Sequence, residues 1–244
     1  MSKAMHINMT EQNVAGLRRV RFQIKVDKEI VPGLLQIPDK EGPFPLVFIQ
    51  HPGLASKDEI YISGTAKKWA EQYGWACAAL DAPGHGERAL ENALDVLRDT
   101  EKASLMSKQF AKEITATIDT LANSFPINMN AIGYWGFSLG ALLGVQACAL
   151  DKRFRASVLA AAGTSPLTGQ LTDDVLKGLQ ETAILMLAKT EDEVIPRDST
   201  ESLFADIKCR RKELRWLPGG HFMIGGDVIT EGETWLNEEL ALQG

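Results

Sequence analysis

Short apolar runs rich in β-branched residues alternate along this chain with longer stretches of helical period, and that alternation restricts the fold more than any other feature. "PLVFIQH" (45–51), "WACAALDAPGHGE", "AIGYW", "ASVLAAAG", "TAILMLAK" and "KELRWLP" read as strands. Helical segments separate them. Trp69, Ala70 and Tyr73 repeat at helical spacing before a stop at Gly74, and Phe110, Ile114, Ile118 and Leu121 mark one face of another helix. "GALLGVQACALD" and "VITEGETWLNEELAL" supply two more. Strands joined through helices pair in parallel by right-handed crossovers, which puts helices on both faces of the sheet. "RRVRFQIKV" and "EIVPGLLQIP" read as an opening antiparallel pair. The expectation is a mostly parallel, eight-stranded α/β sheet. A hydrophobic content of 45% over 244 residues can bury one large core, and no repeat or linker divides it, so a single domain over 1–244 is expected.

In an open parallel sheet, ligands bind beyond the carboxyl ends of the strands. The polar stretches in those places are "HPGLASKDE", "DAPGHGER", "GFSLGA", "TEDEVIP" and "PGGHF". Gly136-Phe137-Ser138-Leu139-Gly140 has the G-x-S-x-G spacing of a strand-to-helix turn so tight that the serine hydroxyl is pushed out of the sheet. Glycine is needed two residues either side, where a side chain would strike neighbouring backbone. The following helix aims its amino terminus at that hydroxyl and leaves the Leu139 N–H free to donate to an oxyanion.

A serine hydroxyl is a weak nucleophile at neutral pH and needs a base. Of four histidines, His6 lies in a polar, frayed tail, and His51 and His85 precede the serine in loops after the third and fourth strands. His221 sits in a glycine-flanked loop able to carry an imidazole over a neighbouring strand end. Glu191, Asp192 and Glu193 compete to orient it. Asp192 is favoured because it stands four residues before Pro196 with Val194 and Ile195 packing between, the glutamates then being solvated loop charges. The order Ser138, Asp192, His221 is the triad order of one particular α/β architecture.

With these motifs in that order over nearly its whole length, the chain resembles the α/β-hydrolase superfamily, and within it the small esterases related to dienelactone hydrolases and to the catalytic domains of prolyl oligopeptidases. The resemblance implies a serine carboxylesterase forming an acyl-enzyme on Ser138, with no cofactor and no metal. It implies an oxyanion hole pairing Leu139 with a donor from the loop after the third strand. Pro52 has no N–H, so that donor is Gly53, with Leu54 as the alternative. The GHG turn around His85 reads as structural. Arg88 either pairs with Glu87 or Asp95 at the surface or borders the pocket and steadies a substrate carboxylate or carbonyl. Phe137, Phe222 and Met223 neighbour the triad and are candidate pocket walls. Leu90, Leu94 and Leu97 recur at helical intervals within 87–108, which suggests a small helical excursion over the site mouth, a modest lid after strand four. "TSPLTGQLTDDVLKGLQE" is too short for a large cap, so a shallow, open pocket for short acyl chains follows. Dienelactone-type, thioester or peptide hydrolysis, or a catalytically silent binding module, are the other readings.

The net charge of −6 is spread without long runs, giving no sign of nucleic-acid or membrane partners. Cys77, Cys148 and Cys209 are odd in number and scattered. With an amino-terminal stretch lacking the apolar run of a secretory signal, they lead to an expectation of reduced thiols in the cytoplasm. The one partner expected is a small acyl ester; oligomeric state is not legible.

Overall fold

The computed structural model describes residues 5–168 and 171–241. Nine strands form one sheet: β1 (Met5–Val14), β2 (Leu17–Val26), β3 (Glu29–Pro38), β4 (Phe44–Gln50), β5 (Ala76–Leu80), β6 (Ile127–Phe137), β7 (Phe154–Ala160), β8 (Ala183–Lys189) and β9 (Arg211–Leu217). Their spatial order is β1-β2-β3-β5-β4-β6-β7-β8-β9. Pairing is antiparallel from β1 to β5 and parallel from there to β9. The helices are α1 (Ile60–Tyr73), α2 (Thr100–Ser124), α3 (Leu139–Leu150), the single turn α4 (Asp173–Leu176), α5 (Arg197–Asp206) and α6 (Gly226–Ala241).

The sheet has one strand more than the eight expected. The stretch containing His6, expected to fray, is β1, joined to β2 by a two-residue hairpin in which Ala15 (φ 50°) and Gly16 (φ 81°) both take positive φ. Such turns match the twist of paired strands. Residues 10–14 are exposed along their whole length, so the alternation of Met5, Ile7 and Met9 with polar residues stops half-way along the strand.

Two apolar layers flank the sheet. On one side α2 and α3 bury Phe110, Ile114, Ile118, Leu143 and Val145 against Phe48, Tyr134 and Phe154. On the other, α1 and α6 bury Trp69, Trp235 and Leu236 against Trp135, Val158 and Leu185. Each such side chain contributes about 1.5–3 kcal/mol on leaving water. α3 is buried all round because it lies between sheet and α2, which explains a helix with no polar face. Among the described residues, no helix is long and apolar enough to cross a membrane.

The excursion after β5 differs from expectation. It consists of two short 3-10 turns, Gly86–Arg88 and Ala93–Arg98. From Thr100 onward the chain belongs to α2, whose N-cap Asp99 accepts from the Glu101 and Lys102 amides at 3.1 Å. The last nine residues of the segment 87–108 are therefore the start of a core helix.

Candidate active site

Strand β6 lies inside the sheet and ends in Phe137; Ser138 stands before the first residue of α3 with φ 51° and ψ −115°. A side chain other than glycine's rarely adopts such angles, and they persist only where the surroundings dictate them. Here they do. A Cβ on Gly136 would lie 2.6 Å from the Gly140 carbonyl, and one on Gly140 would lie 2.6 Å from the Gln50 carbonyl oxygen. The buried Tyr134 hydroxyl donates to the Gly140 carbonyl at 2.6 Å, and the Ser138 amide donates to Ala160 of the neighbouring strand at 2.8 Å.

Two further strand ends supply the rest. The Nε2 of His221, after β9, lies 2.9 Å from Ser138 Oγ, and its Nδ1 lies 3.0 Å from both oxygens of Asp192, after β8. Asp192 Oδ1 also accepts from the Val194 and Ile195 amides at 2.9 and 2.7 Å. A carboxylate so held cannot rotate away from the imidazole. The Phe137 and Phe222 rings lie 5.7 and 5.3 Å from that of His221. Hydrogen bonding of Nδ1–H to Asp192 leaves Nε2 as the acceptor facing the hydroxyl, the tautomer that base catalysis requires.

A cavity of about 620 Å³ opens over Ser138. Gly53, Leu54, Phe137, Leu139, His221 and Phe222 are in its wall. His51 organises one edge: its Nε2 accepts from the Ala82 amide at 3.0 Å, so Nδ1 carries the proton and donates to the Pro52 carbonyl at 2.7 Å. Across a trans peptide, that bond turns the Gly53 N–H away from His51. Burial pushes the His51 imidazole down to about 4, so it stays neutral.

A family model described as phospholipase/carboxylesterase matches residues 93–220, more than half of the 244-residue chain. The chain belongs to that family. The matched span of this esterase includes Ser138 and Asp192 and ends one residue before His221. Among solved structures, a cold-adapted esterase from an Arctic intertidal metagenomic library is similar at 22% identity with a TM-score of 0.83, covering 96% of this chain and 99% of that one. Acetyl xylan esterase 1 of Thermoanaerobacterium sp. JW/SL YS485 is similar at 15% identity and TM-score 0.69, covering 95% and 87%. A Klebsiella pneumoniae structure assigned to the dienelactone hydrolases is similar at 15% identity and TM-score 0.68, covering 88% and 94%. A search of curated protein sequences finds no significant match.

Two sequence candidates stand apart from the esterase cavity. Arg88 is absent from its wall. Its guanidinium forks onto buried Glu113 at 2.9 and 2.6 Å and donates to the Asp81 carbonyl at 3.0 and 2.6 Å, so it meets neither a substrate nor Glu87 or Asp95. Met223 is exposed and lies over Gly219, where an added Cβ would meet its sulfur at 2.8 Å. Of the excursion after β5, Leu97 reaches the wall. His85 donates through Nδ1 to the Pro83 carbonyl at 2.9 Å; its imidazole is held below its usual range by burial.

Other residues emerge only in three dimensions. Glu193, read as a solvated charge, accepts from the His221 amide at 2.8 Å. Lys57 is 1% exposed and bonds to Asp81 at 2.8 Å and Glu87 at 2.6 Å, tying the loop after β4 to the one after β5. Burial opposes its charge, but the bonds to Asp81 and Glu87 win, raising its pKa. Leu142, Leu167, Ile195 and Ile224 complete an apolar wall. Among the described residues no group of three or more His, Cys, Asp or Glu could hold a metal ion.

Proposed function

We propose that this esterase cleaves small esters of short-chain acids through an acyl-serine on Ser138. The observation that carries the reading is the unbroken line of contacts from Asp192 through His221 to the Ser138 hydroxyl. Ser138 Oγ attacks the ester carbonyl while His221 Nε2 takes its proton. Asp192 stabilises the imidazolium that forms. The oxygen that becomes negative is met by the Leu139 N–H at the start of α3 and by a donor from Gly53 or Leu54, where one such donor is worth roughly a hundred- to a thousandfold in rate. His221 returns its proton to the departing alkoxide. Water then attacks the acyl-serine, with His221 again as base.

The cavity supports the size of the substrate. Its volume of about 620 Å³ lies within the usual range for small-molecule sites and must hold both halves of the ester. The link between β7 and β8 adds the short helix α4 and no large cap. An acetyl xylan esterase shares the fold. Nitrophenyl esters from acetate to palmitate test the reading: turnover is expected to be highest for the shortest acyl groups and to vanish in Ser138→Ala. A maximum at roughly ten carbons or beyond overturns the short-chain reading. Failure of a fluorophosphonate to label Ser138 overturns hydrolysis itself in favour of a silent binding module.

A further inference from the structure

Apart from Ser138, His221, Ser165 and Tyr61 the cavity wall is apolar, and the one charged group of fixed sign in it is negative. Among the described residues, the wall holds no lysine or arginine and a single carboxylate, Glu59. Glu59 stands immediately before α1 and is half-buried. Its carbonyl accepts from the Ile62 and Ser63 amides at 2.9 and 2.8 Å, which fixes its backbone. Its carboxylate makes no hydrogen bond and no ion pair among the described residues. The contrast with its neighbour is sharp. Asp58 is neutralised by Arg21 at 2.6 Å and Lys57 at 3.3 Å, while Glu59, in the wall of the cavity, has no such partner among the described residues. Nearby basic groups do not compensate it, since Lys57 is committed to Asp81 and Glu87 and Arg88 to Glu113. Tyr61 shares this flank, and burial together with the Glu59 charge pushes its hydroxyl up to about 12, so it stays an uncharged phenol.

We infer that Glu59 is a specificity-determining residue that favours esters carrying a cationic nitrogen on the group lying against α1 and turns away esters carrying a carboxylate there. This rests on the hydrolase reading above and adds the charge of its substrate. A carboxylate offers only acceptors, so a protonated or quaternary nitrogen complements it and a second carboxylate is repelled. The site meets an anionic ester with repulsion, and Arg88, one of whose two sequence readings was a contact to a substrate carboxylate or carbonyl, is instead paired with Glu113. Discrimination of this sort needs the repulsive element as much as the attractive one.

The test compares kcat/KM for three acetates of similar size: acetylcholine, its uncharged carbon isostere dimethylbutyl acetate, and acetoxybutanoate. The cationic ester is expected to exceed the neutral one by about fivefold, the factor set by two unit charges in contact in water, and the anionic one to fall below it by a similar factor. Glu59→Gln is expected to bring all three ratios toward one, and Glu59→Asp to restore the order in part. Glu41→Gln, an exposed acid before the amino end of β4, should leave the ratios in place, separating a local contact from the field of the whole protein. The charge ratios should also shrink as salt is added. Ratios unchanged in Glu59→Gln, with the neutral ester still turned over, overturn this inference alone. No turnover of the neutral ester by the unaltered protein overturns the hydrolase reading and this inference with it.

Discussion

His51 and His221 both follow sheet strands, yet His221 is in the wall of the cavity while His51 is fully buried outside it, and only His221 is placed to act as a base. His221 offers Nε2 to a hydroxyl and gives Nδ1 to a carboxylate. His51 spends both nitrogens on backbone, one on Ala82 and one on Pro52, and burial keeps it neutral. What separates them is the identity of the partners. A carboxylate stabilises imidazolium during the reaction, whereas a backbone amide pointing at Nε2 forbids it. In the proposed reaction one imidazole moves protons, and the other holds a loop in shape.

The strongest way to break this comparison is removal of the base. His221→Ala is expected to lower kcat by about ten-thousandfold or more, measured with nitrophenyl acetate, whereas a loss under about tenfold would mean that another group takes the proton. Acid should then separate the two rings by stability. The folded-state pKa of His51, about 4, lies below the ordinary value of 6.5. Between those values the unfolded chain takes up a proton that the folded protein refuses. The stabilisation from a neutral His51 is therefore complete above the ordinary value and is lost as pH falls toward the folded one, by up to about 3 kcal/mol. Urea unfolding at neutral and acidic pH checks this: His51→Gln should lose less stability on acidification than the unaltered protein. An equal loss removes His51 as a cause. The smallest expected effect sharpens the positioning role. His51→Gln should lower kcat by about tenfold through a misplaced Gly53, with KM little changed and the pH–rate profile retaining its shape. A profile displaced along the pH axis would show that His51 takes part in proton transfer.

Much of the site was legible because its parts are local. The elbow declares itself through Gly136 and Gly140, since the clashes they avoid are dictated within a few residues of Ser138. Asp192 shows through the turn it makes with Val194 and Ile195. Groups whose meaning depends on distant partners were not legible. Nothing in "GHGER" says that the arginine will meet Glu113 on a helix 25 residues away, or that Glu193 will catch the His221 amide from 28 residues off. The parallel half of the sheet follows from buried runs joined by helices. β1 was missed although Met5, Ile7 and Met9 alternate with polar residues, because its exposed second half obeys hydrogen bonding and turn geometry, which leave little mark on hydropathy.

The turn at Ser138 owes its shape to its neighbours: two glycines, the Tyr134 hydroxyl and a strand carbonyl hold it, and among the described residues the serine side chain bonds only to His221. The position behaves as a socket. A thiol or a carboxylate seated there would inherit the same exposed perch, the same helix terminus beneath it and the same imidazole alongside. Such a scaffold lets the reacting atom be exchanged while the architecture stays put, so new chemistry at this rim asks for a change of one side chain and not for a new fold.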